Sequence, residues 1–96
     1  MNTTIELKTG KQAYLLYYDN RAYRKMEEQT GHPFARFQHE SINEMTTLLW
    51  AGLLRNHPKA TIETADDIID DLGYEAVMGI VVKAVEQSPP FQKSKE

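Results

Sequence analysis

The stretch TTLLWAGLLRN, residues 46–56, constrains this chain more than any other. It reads as helix, yet Leu48, Leu49, Trp50, Ala51, Leu53 and Leu54 point in nearly every direction around the helical axis. Ile42, Met45, Leu49 and Leu53 make one stripe, Leu48 and Leu54 widen it, and Trp50 sits to the side. An ordinary surface helix needs an apolar stripe of about 100° or somewhat more. This one is wider, so it must either lie at the centre of the fold or have part of its surface covered by something else. The chain has 96 residues, which predicts one domain that buries roughly two-thirds of its unfolded surface.

The segment YEAVMGIVVKAVEQS poses the same problem. Its β-branched run, Ile80 to Val82, is compatible with a strand, but its length and the shared face of Val77, Val81, Ala84 and Val85 predict a helix over 74–87. Met78 and Val82 lie on another side, with Ile80 between, and Pro89 and Pro90 end it.

Local signals place the other elements. In TIELKTGKQAYLLYY, Ile5 and Leu7 alternate with Glu6 and Lys8, and Thr9-Gly10-Lys11 supplies a turn, so a β-hairpin is expected. Asp19 or Asn20 can cap a helix whose stripe is Ala22, Tyr23 and Met26 and whose stop is Gly31. Arg21, Arg24, Lys25, Glu27 and Glu28 form its solvated face. HPFARFQHE is a loop, anchored by Phe34 and Phe37. Ser41 and Glu44 have capping-box spacing at the start of a helix expected to run to Asn56. Thr64 is the expected N-cap and Gly73 the stop of a shorter helix with Ile68, Ile69 and Leu72 inward. The predicted fold is mainly α (α+β): a short N-terminal hairpin, then about four helices, in one domain over residues 1–88. Residues 89–96 read as a flexible polar tail.

Composition narrows the function classes. Formal net charge is -3, which argues against nucleic-acid binding driven by bulk charge. The chain has 0 cysteines, which rules out disulfides and thiolate metal sites. No apolar stretch approaches the ~20 residues needed to span a membrane, and the N-terminus lacks the apolar run of a signal peptide.

Chemistry-bearing patterns are sparse. His32, His39 and His57 are scattered, without HExxH or paired-ligand spacing, and His32 and His57 each precede a proline. Ser41 lacks a GxSxG context and is read as a cap. Glu63, Asp66, Asp67, Asp70 and Asp71 lack the alternating spacing and central glycine of an EF-hand loop. They read as a solvated helix face or an electrostatic patch for a basic partner. Gly10 and Gly31 are a turn and a cap, so no phosphate-binding loop is present. No catalytic residue, metal site or cofactor is therefore expected, and the chain is not read as an enzyme.

The apolar surplus has two explanations. The two broadly apolar helices can pack on each other centrally, with the hairpin, the first helix and the phenylalanines around them. Alternatively, a patch remains for a second copy or a partner segment. Trp50, Met45, Met78 and Tyr74 are residue types suited to such a patch. The partner surface expected from spacing comprises Leu49, Trp50, Leu53 and Leu54, with Met78 and Val82 of the last helix. Along the helix that contains TTLLWAGLLRN, Met45, Leu49 and Leu53 belong on the core side, and Trp50 and Leu54 are the surplus.

The order of elements resembles the tail assembly chaperones of long-tailed bacteriophages and their prophage and gene-transfer-agent relatives. The resemblance covers about residues 4–88. It is carried by the hairpin IELKTGKQAYLLYY, the Gly-ended helix NRAYRKMEEQTG, then LLWAGLLRNHP, TIETADDIIDDLG and the last apolar helix. The PPFQKSKE tail has no counterpart in that pattern. The resemblance implies a non-catalytic protein of the bacterial host cytoplasm, not expected in the mature virion. It would bind apolar helices of the tape-measure protein and help tail-tube protein polymerise around it. Members are often also made in a longer, frameshifted form. Presenting apolar side chains in a groove is how helix-in-groove recognition works. Self-association is expected, to cover the surplus when no client is bound. The rival reading is a small regulatory module binding DNA or protein, with Arg21, Arg24 and Lys25 towards phosphate. Glu27, Glu28 and the net charge weigh against it.

Overall fold

The computed structural model describes residues 4–91. Strand β1 (Ile5–Lys8) pairs antiparallel with β2 (Ala13–Leu16), Ile5 opposite Leu16 and Leu7 opposite Tyr14. Alternation along β1 buries Leu7 and leaves Glu6 and Lys8 in solvent. Thr9 closes the turn: its amide donates to the Gln12 carbonyl at 2.8 Å and its hydroxyl oxygen accepts from the Lys11 and Gln12 amides. A lone two-stranded hairpin is marginal in water. This one packs against two of the helices described below, and the Leu15 amide donates to His57 Nε2 at 3.0 Å.

Helix α1 (Asn20–Thr30) begins at Asp19, whose Oδ1 accepts from the Ala22 amide at 3.0 Å, and stops at Gly31. It buries the expected stripe of Ala22, Tyr23 and Met26. A 3₁₀ turn (Phe34–Arg36) follows, with Phe34 stacked on Phe37 and tilted against Tyr23.

Helix α2 (Ile42–Leu53) ends three residues before the expected Asn56, and the His57 amide then donates to the Leu53 carbonyl at 2.8 Å. Its capping box is half formed. Ser41 Oγ accepts from the Glu44 amide, but the Glu44 carboxylate is drawn away to the Gln38 amide at 2.8 Å and to His32. The breadth of its apolar surface has a plain cause: α2 touches α1, β2 and the two helices that follow. Met45, Thr46, Thr47, Leu48, Leu49, Ala51, Gly52 and Leu53 are all buried.

Gly52 sets how closely the hairpin exit approaches α2. The Tyr17 amide donates to the Gly52 carbonyl at 3.0 Å, and the buried Tyr18 hydroxyl donates to the Leu48 carbonyl at 2.6 Å. A Cβ on Gly52 would lie 2.3 Å from Tyr18 Cζ, so only glycine leaves room for the ring.

Helix α3 (Ile62–Leu72) corrects one expectation. Thr61, not Thr64, is the N-cap, and the two threonines exchange side-chain and backbone hydrogen bonds as a capping box. Threonine three residues into the helix mimics the cap in sequence because its hydroxyl serves the same junction from the other side. A single residue, Gly73 at φ 95°, separates α3 from α4 (Tyr74–Glu86), and that left-handed value favours glycine. Ile80 to Val82 are helical, and α4 buries Val77, Met78, Val81 and Ala84.

The C-terminal end is tied down further than expected. Ser88 Oγ donates to the Val85 carbonyl at 2.7 Å, so Tyr23 Oη donates to Ser88 Oγ at 2.8 Å. Pro89–Phe91 form a 3₁₀ turn that sets Phe91 edge-on to Tyr23, ring centroids 5.0 Å apart. The flexible tail expected from residue 89 is therefore ordered through Phe91, and positions 92–96 lie outside the described residues.

Candidate partner-binding surface

The six residues expected to form one apolar surface separate by depth. Leu49 and Leu53 are fully enclosed, and Met78 is buried as well. A side chain inside the core presents no contact surface, so these three hold the fold together, each contributing about 1.5–3 kcal/mol through burial. Trp50 is half-buried against the core, and its indole N–H donates to the Ala60 carbonyl at 3.1 Å. This bond ties α2 to the turn before α3. Leu54 is half-buried but lies outside the core cluster, and Val82 is exposed. The surface left from the original six is Leu54, Val82 and the outer edge of Trp50.

Among the described residues, four large apolar side chains stand in solvent: Leu15 at 38%, Ile42 at 68%, Val82 at 46% and Phe91 at 51% exposure. Spacing missed Leu15, Ile42 and Phe91 as surface residues. Ile42 fits the buried stripe of α2 by periodicity, but it is the first residue of the helix and projects beyond its neighbours. Phe91 falls in a segment read as polar. The exposure of Leu15 follows from alternation in β2, since Leu16 is buried.

Leu54 borders a groove of about 450 Å³ between the N-terminal half of α1 and the end of α2. Leu54 and Pro58 supply its accessible apolar surface above the buried Tyr17, Ala22 and Ala51, and Arg21, Lys25 and Arg55 supply positive charge. Arg55 bridges to Asp19 at 3.0 Å and lies 4.9 Å over the Tyr17 ring. Asp19 thus caps α1 with one oxygen and holds Arg55 with the other.

Two of the histidines, His57 and His32, carry structural duties. His32 Nε2 lies 2.6 Å from Glu44 Oε2, and Nδ1 lies 3.1 Å from the Pro33 carbonyl. Both partners are acceptors, so the arrangement favours a ring protonated on both nitrogens. The Pro33 carbonyl and then Glu44 hold the His32 pKa above its ordinary value, while the Gln38 amide and then His32 hold Glu44 below its own. Glu27 adds a second clasp, accepting from the Phe34 amide at 2.7 Å. Burial, chiefly, pushes the Tyr23 phenol up to about 12. Among the described residues, no group of three or more histidine or carboxylate side chains is placed to hold a metal ion. No helix among them is long and apolar enough to cross a membrane.

The chain matches no family model, and neither the curated proteins nor the solved structures contain a significantly similar one.

Proposed function

We propose that this protein is a non-catalytic assembly chaperone that shields apolar helical segments of a phage tape-measure protein while tail-tube protein polymerises around it in the cytoplasm of the bacterial host. The observation that carries the reading is the set of apolar side chains left in solvent after α2 and α4 have filled the core. Val82 and Ile42 are the helical members, and Leu54 sits just outside the core cluster. The order of elements, a hairpin and then four helices, supports it by agreeing with the resembled family's pattern.

The test is co-expression with a phage tape-measure protein, reading that client's soluble fraction. The wild type should raise that fraction, and a Leu54→Glu, Val82→Glu double variant that melts like wild type should not. An equally effective double variant, or a client indifferent to the wild type, would overturn the reading. Salt-sensitive DNA binding by the purified chain would favour the regulatory alternative instead.

A further inference from the structure

Phe91 is seated among other rings without being enclosed by them. It lies edge-on to Tyr23, ring centroids 5.0 Å apart, and tilted against Phe34 at 6.1 Å, yet it is 51% exposed. The turn that delivers it is held by little else. Pro89 and Pro90 have no amide hydrogen to donate, and the Phe91 amide donates within its own turn, to the Ser88 carbonyl at 3.1 Å. Among the described residues, no hydrogen bond or ion pair joins Pro89–Phe91 to another element. Firm attachment ends at Ser88, whose Oγ accepts from Tyr23 Oη and donates to the Val85 carbonyl. The end of α4 is therefore tied to α1 whether or not Phe91 is in place.

The seat, by contrast, is built by other elements and does not depend on the ring that fills it. Tyr23 is buried on α1 and stacks on Tyr18 at 5.9 Å. Phe34 packs against Tyr23 at 4.9 Å and against Phe37 at 5.3 Å. The loop that carries both phenylalanines is pinned by carboxylates of two helices. Glu27 of α1 accepts from the Phe34 amide at 2.7 Å, and Glu44 of α2 accepts from the Gln38 amide at 2.8 Å and meets His32 at 2.6 Å. A seat fixed in this way is pre-organised, so little order has to be created when a ring enters it. Rings attract one another through edge and face contacts, and the Tyr23 hydroxyl beside the seat is already engaged by Ser88. The side chain that suits it is a phenyl ring, which needs no hydrogen-bond partner.

We propose that the Tyr23–Phe34 seat is a binding site for a phenylalanine side chain on a partner protein segment, and that Phe91 fills it in cis until such a segment displaces it. Phe91 identifies the occupant, because it is the ring that the seat already accepts. Being tethered, it competes at an effective concentration in the millimolar range. A partner segment therefore enters only when it is concentrated locally or held to the chain by a second contact. The seat includes neither Leu54 nor Val82, and it stands whether or not the chaperone reading does.

Titration of the isotope-labelled full chain with a capped peptide of residues 87–91, QSPPF, followed by NMR, tests it. The Phe91→Ala chain has an open seat and should take up the peptide, with shifts centred on Tyr23, Phe34 and Phe37. The wild type should bind the same peptide about tenfold more weakly, because its own ring competes for the seat. The same peptide carrying Phe91→Ala should bind neither chain. Adding Phe34→Leu, which keeps an apolar side chain in the wall but removes its ring, should weaken uptake by the Phe91→Ala chain about threefold or more. Thermal melts establish that each variant folds. No uptake by the Phe91→Ala chain, equal uptake by wild type and variant, or shifts centred on Leu54 or Val82 would each overturn the proposal. So would a Phe91→Ala chain that fails to fold, because the ring would then be part of the core. A wild-type dimer that disappears in Phe91→Ala would overturn it as well, because the occupant would then be a second copy.

Discussion

Two helical glycines, Gly52 and Gly79, should respond to alanine with opposite signs. In an open helix, Gly→Ala gains about 1 kcal/mol, because alanine loses less backbone freedom on folding. Gly79 is exposed on α4, and a Cβ there meets nothing within 4 Å. Gly79→Ala should therefore stabilise by about 0.5–1 kcal/mol. At Gly52 the same gain is outweighed. The new Cβ would sit 2.3 Å from Tyr18 Cζ, 2.5 Å from its oxygen and 2.7 Å from Cε2, where ordinary contact begins at 3.4 Å. The ring must move by about 1 Å, but it is enclosed and held by the 2.6 Å bond to the Leu48 carbonyl. Overpacking costs about 1–3 kcal/mol, and a buried hydroxyl deprived of its acceptor costs about 1–3 more. The net is a loss of about 3 kcal/mol. For a domain of this size that lowers Tm by about 12–24 °C, at about 4–8 °C per kcal/mol. Thermal and urea unfolding of both variants measure the two signs. In a Tyr18→Leu background, Gly52→Ala should lose its penalty, since the atoms it strikes are gone. A Gly52→Ala protein as stable as wild type, or the same penalty in both backgrounds, would refute the close-packing argument.

Other consequences are smaller. His32 is held above its ordinary value of 6.5 and Glu44 below its ordinary value of 4.5. The His32 contribution is complete below pH 6.5 and lost as pH rises through the raised folded value, whereas that of Glu44 is present above 4.5 and lost as pH falls through its lowered one. Stability measured against pH should gain its share from this clasp between those limits, and His32→Gln should flatten the alkaline side. An unchanged profile would show that the ion pair is energetically silent. Thr61→Ala should cost about 1 kcal/mol in urea unfolding, because it removes the oxygen that accepts from the Thr64 amide. No loss would mean that α3 does not need its cap.

The features legible in the sequence are those whose causes lie within a few residues. Alternation in β1, a cap at Asp19 or Asn20 (the structure uses Asp19), the Gly31 stop and the buried stripe of α1 each follow from local geometry. So does the helix over Ile80 to Val82, where length and periodicity outweighed β-branching. Local reasoning failed where a distant group competes for the same atoms. Glu44 has capping-box spacing, yet the Gln38 amide and His32 take its carboxylate. Asp71 reads as part of a solvated acidic helix face, but the hairpin brings the Gly10 amide to it across 61 positions.

The breadth of apolar surface on α2 was determined by sequence alone, because side-chain direction on a helix follows from residue spacing. Which part of that surface lies inside was decided only by the tertiary structure. Four elements close around α2 and enclose Leu48, Leu49 and Leu53, and α4 turns Met78 inward while leaving Val82 out. Periodicity gives a residue's angle around its own helix, but burial depends on what other elements bring to that angle. Leu54, one position past the end of α2, remains at the edge of a charged groove for that reason.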